Sequence, residues 1–332
     1  MSVLEFRNFY FDALLDLVWR QWTNLGISGQ VGTTDSDYVY DPEMLLIFSA
    51  WFCRYDARLY DLIIDWLRNN GAFISITRLK ALMKSVAWCD SASLGFMFRC
   101  LANSGERRWK KFADELMPSE DTKAQTLFLT IDGKANDFLK SKNKQALQYA
   151  YLRSPYIPSD KTSSFSPTAK AAFLLQLRGA FGLSVRAEAI LALLNQDVCR
   201  IQDIVDISYF SWKTVQDTMH NLCASSLVKS HEGTKRGTYY FIKEPQKFLT
   251  LWDKENADFP DWKNIFNALA LIWQTVSNPK LAKLSEATFH SEIKRVFTEQ
   301  IKDSLLNARI PALRFFSPED IKQLPEIIAA IS

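Results

Sequence analysis

The chain has 332 residues, 48% hydrophobic and 23% charged, with a net charge of +3 and a pI near 8.5. That length exceeds what one apolar core usually organises, and the composition excludes a disordered chain. No apolar run is long enough for a bilayer span, and three histidines with five scattered cysteines, none in a CxxC pair, leave little material for metal or disulfide chemistry.

Glu5, Arg7 and Asp12 interrupt the apolar N-terminus, which is not the layout of a secretory signal, so a cytoplasmic chain with reduced thiols is expected. Gly and Pro are sparse, and 3.6-residue periodicity dominates, which predicts a mainly helical fold. Residues 1–152 read as a helical N-terminal region. Asp41-Pro42-Glu43 supplies an N-cap, a first-turn proline and an acidic first turn, followed by Leu45, Leu46, Phe48, Ala50 and Phe52 as a buried face. A helix over 59–69 stops at Asn70-Gly71. Ile74-Ser75-Ile76 leads into another through Arg78, Leu79, Leu82 and Met83. Asp90-Ser91 caps a third, with Leu94, Met97, Phe98 and Leu101 at helical spacing. Leu127–Ile131 is β-prone. Prolines and a Ser/Thr cluster over 153–167 predict a linker, and a break near Asn256–Asp261 separates a module over 168–250 from a helical C-terminal region over 251–332.

The module carries the functional reading. Val185–Leu194 presents Ala187, Ile190, Leu191 and Leu194 on one face. Ile201–Ile207 is a short second helix with Ile201, Ile204 and Val205 turned inward and Asp203 and Asp206 outward. Ser208-Tyr209-Phe210 is a turn, and Ser211 caps a third helix, Trp212–Ser225, with Val215, Met219 and Leu222 inward. Its other face carries Lys213, Gln216, Asp217 and His220. Two β-prone runs, Leu227–Ser230 and Thr238–Lys243, flank a polar, glycine-containing connector that predicts a hairpin. From Tyr209 to Lys243 the net charge is +3, equal to that of the whole chain, so cationic character concentrates where phosphate attraction would use it. A helix buttressed by another, with a wing beside it, can put its outer face in a major groove.

This order, in the stretch LQLRGAFGLSVRAEAILALL…IQDIVDISYFSWKTVQDTMHNLCASSLV, resembles bacterial winged helix-turn-helix regulators of the broad MarR/ArsR type. The resemblance is one of pattern and covers about a fifth of the chain. It implies base contacts from the third helix through Ser211, Trp212, Lys213, Thr214, Gln216, Asp217 and His220, and phosphate contacts from the wing through Lys229, His231, Lys235, Arg236 and Tyr239. Asp217 departs from that pattern, since it repels phosphate although it can accept from a cytosine amino group. The ArsR-type cysteine pair is absent, so metal sensing is not implied. Trp212 stacks on a partner or packs under the wing; Gln216 pairs with an adenine edge or is an ordinary exposed glutamine.

The expected fold class is therefore mainly α with small β-hairpin wings (α+β). A second, degenerate copy of the module over 59–112 is one reading of the N-terminal region, in which Arg107, Arg108, Lys110 and Lys111 make a second DNA contact; a plain helical bundle with one cationic side is the other. Asp132-Gly133-Lys134 lacks the flanking residues of a phosphate loop, and no HExxH, GxSxG or GxGxxG occurs, so neither an enzyme nor a cofactor or metal is expected. The expectation is a sequence-specific duplex-DNA-binding regulator, a repressor, working as a homodimer. The apolar stripes of Pro167–Gly182 and Asp261–Thr275 are the dimerisation candidates, the latter being otherwise core. The alternative is an interaction protein, the antitoxin or regulatory half of a bacterial toxin–antitoxin or defence pair, suggested by the large aromatic-rich N-terminal region.

Overall fold

A computed structural model describes residues 2–29, 36–103, 107–136, 141–159, 161–232, 237–281, 286–314 and 316–331. The fold is mainly helical, with two small two-stranded sheets. Helix α1 (Val3–Asn24) opens with a reciprocal cap: Ser2 accepts from the Glu5 amide while the Glu5 carboxylate accepts from the Ser2 amide. Phe6, Tyr10, Leu14, Leu17 and Val18 recur every three or four residues and are buried. Helix α2 (Pro42–Phe52) is buried almost all round, and Asp41 caps it as predicted, accepting from the Met44 amide at 3.0 Å. Helices α3 (Ala57–Asn70), α4 (Ile76–Ser85) and α5 (Ser91–Asn103) follow in the order the sequence suggests.

After α5 the structure bears on the two readings of the N-terminal region. Residues 107–115 form helix α6 (Arg107–Glu115), and no strand lies among the described residues of 59–112. The reason is the spacing of Trp109, Phe112 and Ala113, which puts all three on one buried helical stripe; Phe98 of α5 stacks on Trp109 at 4.8 Å and on Phe112 at 5.0 Å. The plain bundle is the arrangement found.

The β-prone run at 127–131 joins a sheet only at its start. Strand β1 (Gln125–Thr126) pairs in parallel with β2 (Tyr151–Leu152), the Leu127 amide extends the ladder to the Leu152 carbonyl at 3.0 Å, and Leu129 then turns to the Arg54 carbonyl at 2.8 Å. Between the strands lies the single turn α7 (Lys144–Leu147).

The segment expected as a linker is bonded along its length. Arg153 is buried and makes a two-point ion pair with Asp61 at 2.6 and 3.0 Å. Asp65 accepts from the Tyr156 hydroxyl and from both the amide and hydroxyl of Ser159. The Ser28 amide donates to the Lys161 carbonyl and the Ser163 amide to Gly26, whose φ of +110° lets the backbone pass close to Ser163. The prolines set the extended path; the polar side chains fasten it to α3.

Beyond it come α8 (Phe173–Phe181), α9 (Val185–Asn195), α10 (Ile201–Ser208), α11 (Trp212–Ala224), the hairpin β3 (Lys229–Glu232) and β4 (Thr238–Phe241), then α12 (Pro245–Thr250), α13 (Trp262–Val276), α14 (Glu286–Val296), α15 (Lys302–Leu306), α16 (Pro311–Arg314) and α17 (Leu324–Ala330). One apolar cluster runs from Val3 to Ile331 through all these parts. The C-terminal helices close it over α1: the Tyr10 hydroxyl donates to the Leu269 carbonyl at 3.0 Å, and Phe6 meets Phe289 edge-on. Both stripes considered for dimerisation are occupied by this core. In α13 the residues Trp262, Ile265, Phe266, Leu269, Ile272 and Trp273 are buried, as are Phe173, Leu174, Leu175 and Leu177 in α8. Among the described residues no helix is long and apolar enough to cross a membrane.

Candidate nucleic-acid interface

Helices α9, α10 and α11 pack on one another around Ala187, Ile190, Leu191, Ile204, Val215 and Met219, all buried. Ser184 caps α9, accepting from the Arg186 amide. In α10 Asp203, on the partly exposed side, accepts from the Arg200 amide at 2.7 Å and closes the helix start. The helix ends at Tyr209 with φ 60° and ψ 22°, a left-handed conformation in which glycine is usual. A tyrosine occupies it because its ring is half-buried, lying 5.7 Å below the Arg78 guanidinium. Tight reversal there aims α11 across α10.

Ser211 caps α11 as predicted, accepting from the Thr214 amide at 3.2 Å and sharing a 2.7 Å hydrogen bond with the Thr214 hydroxyl. With Val215, Met219 and Leu222 buried, the helix presents Lys213, Thr214, Asp217 and His220 to solvent; Gln216 is half-buried and Trp212 is 49% exposed. The structure thus brings the expected face together and leaves it open. Lys213 does not stand alone on it: its ammonium meets Asp217 one turn later at 2.8 Å.

The hairpin lies beside α11. Lys229, Ser230, His231 and Glu232 pair with Phe241, Tyr240, Tyr239 and Thr238 respectively. His231 stacks on Tyr239 at 5.5 Å across the strands and contacts Phe241 edge-on. Lys229 and His231 are exposed, and Tyr239 is half-buried. The expected contacts Lys235 and Arg236 lie outside the described residues. A third segment joins the hairpin: Cys199, between α9 and α10, exchanges both backbone hydrogen bonds with Tyr240 at 2.9 and 2.8 Å. That bridge ties the hairpin to the helices and went unread in the sequence.

The four cations of α6 are placed differently. Arg107, Lys110 and Lys111 are exposed, but Arg108 is half-buried and donates to the carbonyls of Gly71, Ala72 and Ile74 while its guanidinium covers Trp109 at 4.5 Å. Arg108 closes the turn after α3 and is not presented to a duplex.

The sequence reading also missed what holds α10 and α11 to the rest of the chain. Arg78 of α4 grips Asp41 with two hydrogen bonds at 2.6 and 2.5 Å, reaches Glu43 at 2.8 Å and donates to the Ile207 carbonyl at 3.3 Å, at the end of α10. Arg178 of α8 binds both Glu43 oxygens, at 2.6 and 2.9 Å, and Glu188 of α9 at 2.7 and 3.0 Å. All five side chains are at least 96% buried. Burial pushes the Asp41 carboxyl upward, but the Arg78 guanidinium outweighs this and holds it below the usual carboxylate range. The available signal was a charge at a buried phase of an apolar helix: Glu43 in PEMLLIFSAWF, Arg178 in FLLQLRGAF, Glu188 in VRAEAILALL. Beneath the turn a cavity of about 40 Å³, lined by Asp41, Arg78, Tyr209, Asp261 and Arg309, has room for little more than water.

Among the described residues no group of three His, Cys, Asp or Glu side chains could hold a metal ion. No protein family, curated protein or solved structure matches the chain.

Proposed function

We propose that the chain is a sequence-specific duplex-DNA-binding regulator of the winged-helix kind, a repressor, in which α11 enters the major groove and the β3–β4 hairpin follows the adjacent backbone. One observation carries this reading: an open helical face of Lys213, Thr214, Asp217 and His220 rests on two buttressing helices beside a hairpin that backbone bonds fix to the same unit. Backbone pairing at Cys199–Tyr240 supports it, because a hairpin anchored this way can bear on a phosphate backbone without swinging free. Lys213 and His220 supply donors for base edges or phosphates, and Lys229 with the predicted Lys235 and Arg236 supplies phosphate contacts. The stripes first considered for dimerisation are filled by the chain's own core, so a homodimer on DNA would pair through another surface.

The test is binding to duplexes selected from a random pool, measured by fluorescence anisotropy over a range of salt. The selected duplex should bind about 10³-fold or more above scrambled sequence. Replacing Lys235 and Arg236 together by alanine should reduce the salt slope by about 2. Selection that enriches no sequence would sink the reading.

A further inference from the structure

A groove of about 460 Å³ separates α4 from α6, far from the open face of α11 in the chain and much larger than the cavity under the turn. Its floor is apolar: Met83 and Val86 from α4 and the residue after it, Phe112 and Leu116 from α6 and its end. Cys89 completes the wall, and burial followed by the nearby Asp90 pushes its thiol up to about 12, so it presents a neutral sulfur. The rim is charged. Lys80 pairs with Glu115 across it and rests 5.0 Å over the Phe112 ring, so these two charges cancel. Lys84 is exposed and makes no ion pair among the described residues, which leaves one positive charge at the mouth of an apolar trough.

We propose that this groove binds a small amphipathic monoanion, a medium-chain or aromatic carboxylate, with its hydrocarbon body on Phe112, Leu116, Met83 and Val86 and its carboxylate on Lys84. The volume falls within the range of small-molecule sites, and the lining is divided between an apolar floor and a polar rim of Lys80, Lys84, Ser91 and Glu115, which matches a ligand with a hydrocarbon body and a charged head. A cation-bearing ligand would meet Lys84 with like charge; a neutral one would gain nothing from the rim. The ligand's seat is on α4, the helix whose Arg78 holds the end of α10, so occupancy bears on the element that orients α11. The binding site itself stands apart from the DNA reading and is tested without DNA.

Calorimetric titration of the full chain with octanoate, octanol and octylammonium separates the terms. Octanoate should bind once per chain, about tenfold tighter than octanol, with octylammonium weakest. Lys84→Glu, at an exposed position that the fold does not need, should reverse the order of octanoate and octylammonium. Lys213→Ala, on the distant helix, should leave all three unchanged. Octanol binding as tightly as octanoate, octanoate binding unaltered by Lys84→Glu, or no heat from octanoate at millimolar concentration would each overturn the proposal.

Discussion

Two regions of this molecule are rich in charge and use it in opposite ways. Around Glu43, five ionised side chains are sealed in the core, each held by partners at 2.5–3.0 Å on four helices. On α11, Lys213 and Asp217 pair in open solvent, with side-chain exposures of 75% and 57%. The comparison teaches that proximity of opposite charges says little about their work. Buried, such a pair cannot lose one member without stranding the other in low dielectric; exposed, it is screened, and either member is free to exchange its partner for a ligand.

The largest effect should come from stranding a buried charge. Arg178→Met leaves Glu43 and Glu188 without their main partner and should cost about 3–5 kcal/mol in urea unfolding. Replacing Arg178 by Met and Glu188 by Leu together should cost less than the single change, because one bare carboxylate goes with its partner. A double variant no more stable than the single would break the comparison. Acid supplies a milder probe. Because the folded Asp41 carboxyl lies below its ordinary value, its stabilisation is complete above about pH 4, the unfolded value, and is lost as pH falls through the folded one. Unfolding monitored by tryptophan fluorescence should show that decline, with a smaller slope below pH 4 in Asp41→Asn.

Effects on the exposed side should be smaller and confined to local order or binding. Ser211→Ala removes the cap of α11 and should cost about 1 kcal/mol in thermal or urea unfolding. Lys213→Ala should change stability by no more than about 0.5 kcal/mol, yet on the proposed reading it should lower the salt slope of duplex binding by about 1. Least of all, Asp217→Asn releases Lys213 and removes a repulsive charge, so duplex affinity at low salt should rise by about two- to threefold. A fall in affinity would assign Asp217 to base recognition instead.

Much of the fold was legible because local chemistry and burial agreed. Asp41-Pro42 and Ser211 start helices where the capping rule places them, and the apolar phases of α9 and α11 are the buried ones. The open face of α11 was legible for the same reason, as the complement of that stripe. The failures share a cause: a pairing between residues far apart in the chain. The polar run at 153–167 reads as a linker until Asp61, Asp65 and Asn70 are seen to bind its residues. The cations of α6 read as one patch until Arg108 is seen to turn inward onto Gly71 and Ile74. Nothing in the neighbourhood of Cys199 announces that its backbone completes a sheet with Tyr240.

The closure of the C-terminal helices over α1 sets an order of events during synthesis. Tyr10 waits for a carbonyl 259 residues later, and Arg20 for Ala329, 309 residues on. Trp22 and Phe11 find Trp66 and Phe52 early, but at about 5–20 residues per second the part of α1 that the C-terminal helices cover waits tens of seconds for its native neighbours. The packing of α1 is therefore completed only when the C-terminal helices have been made.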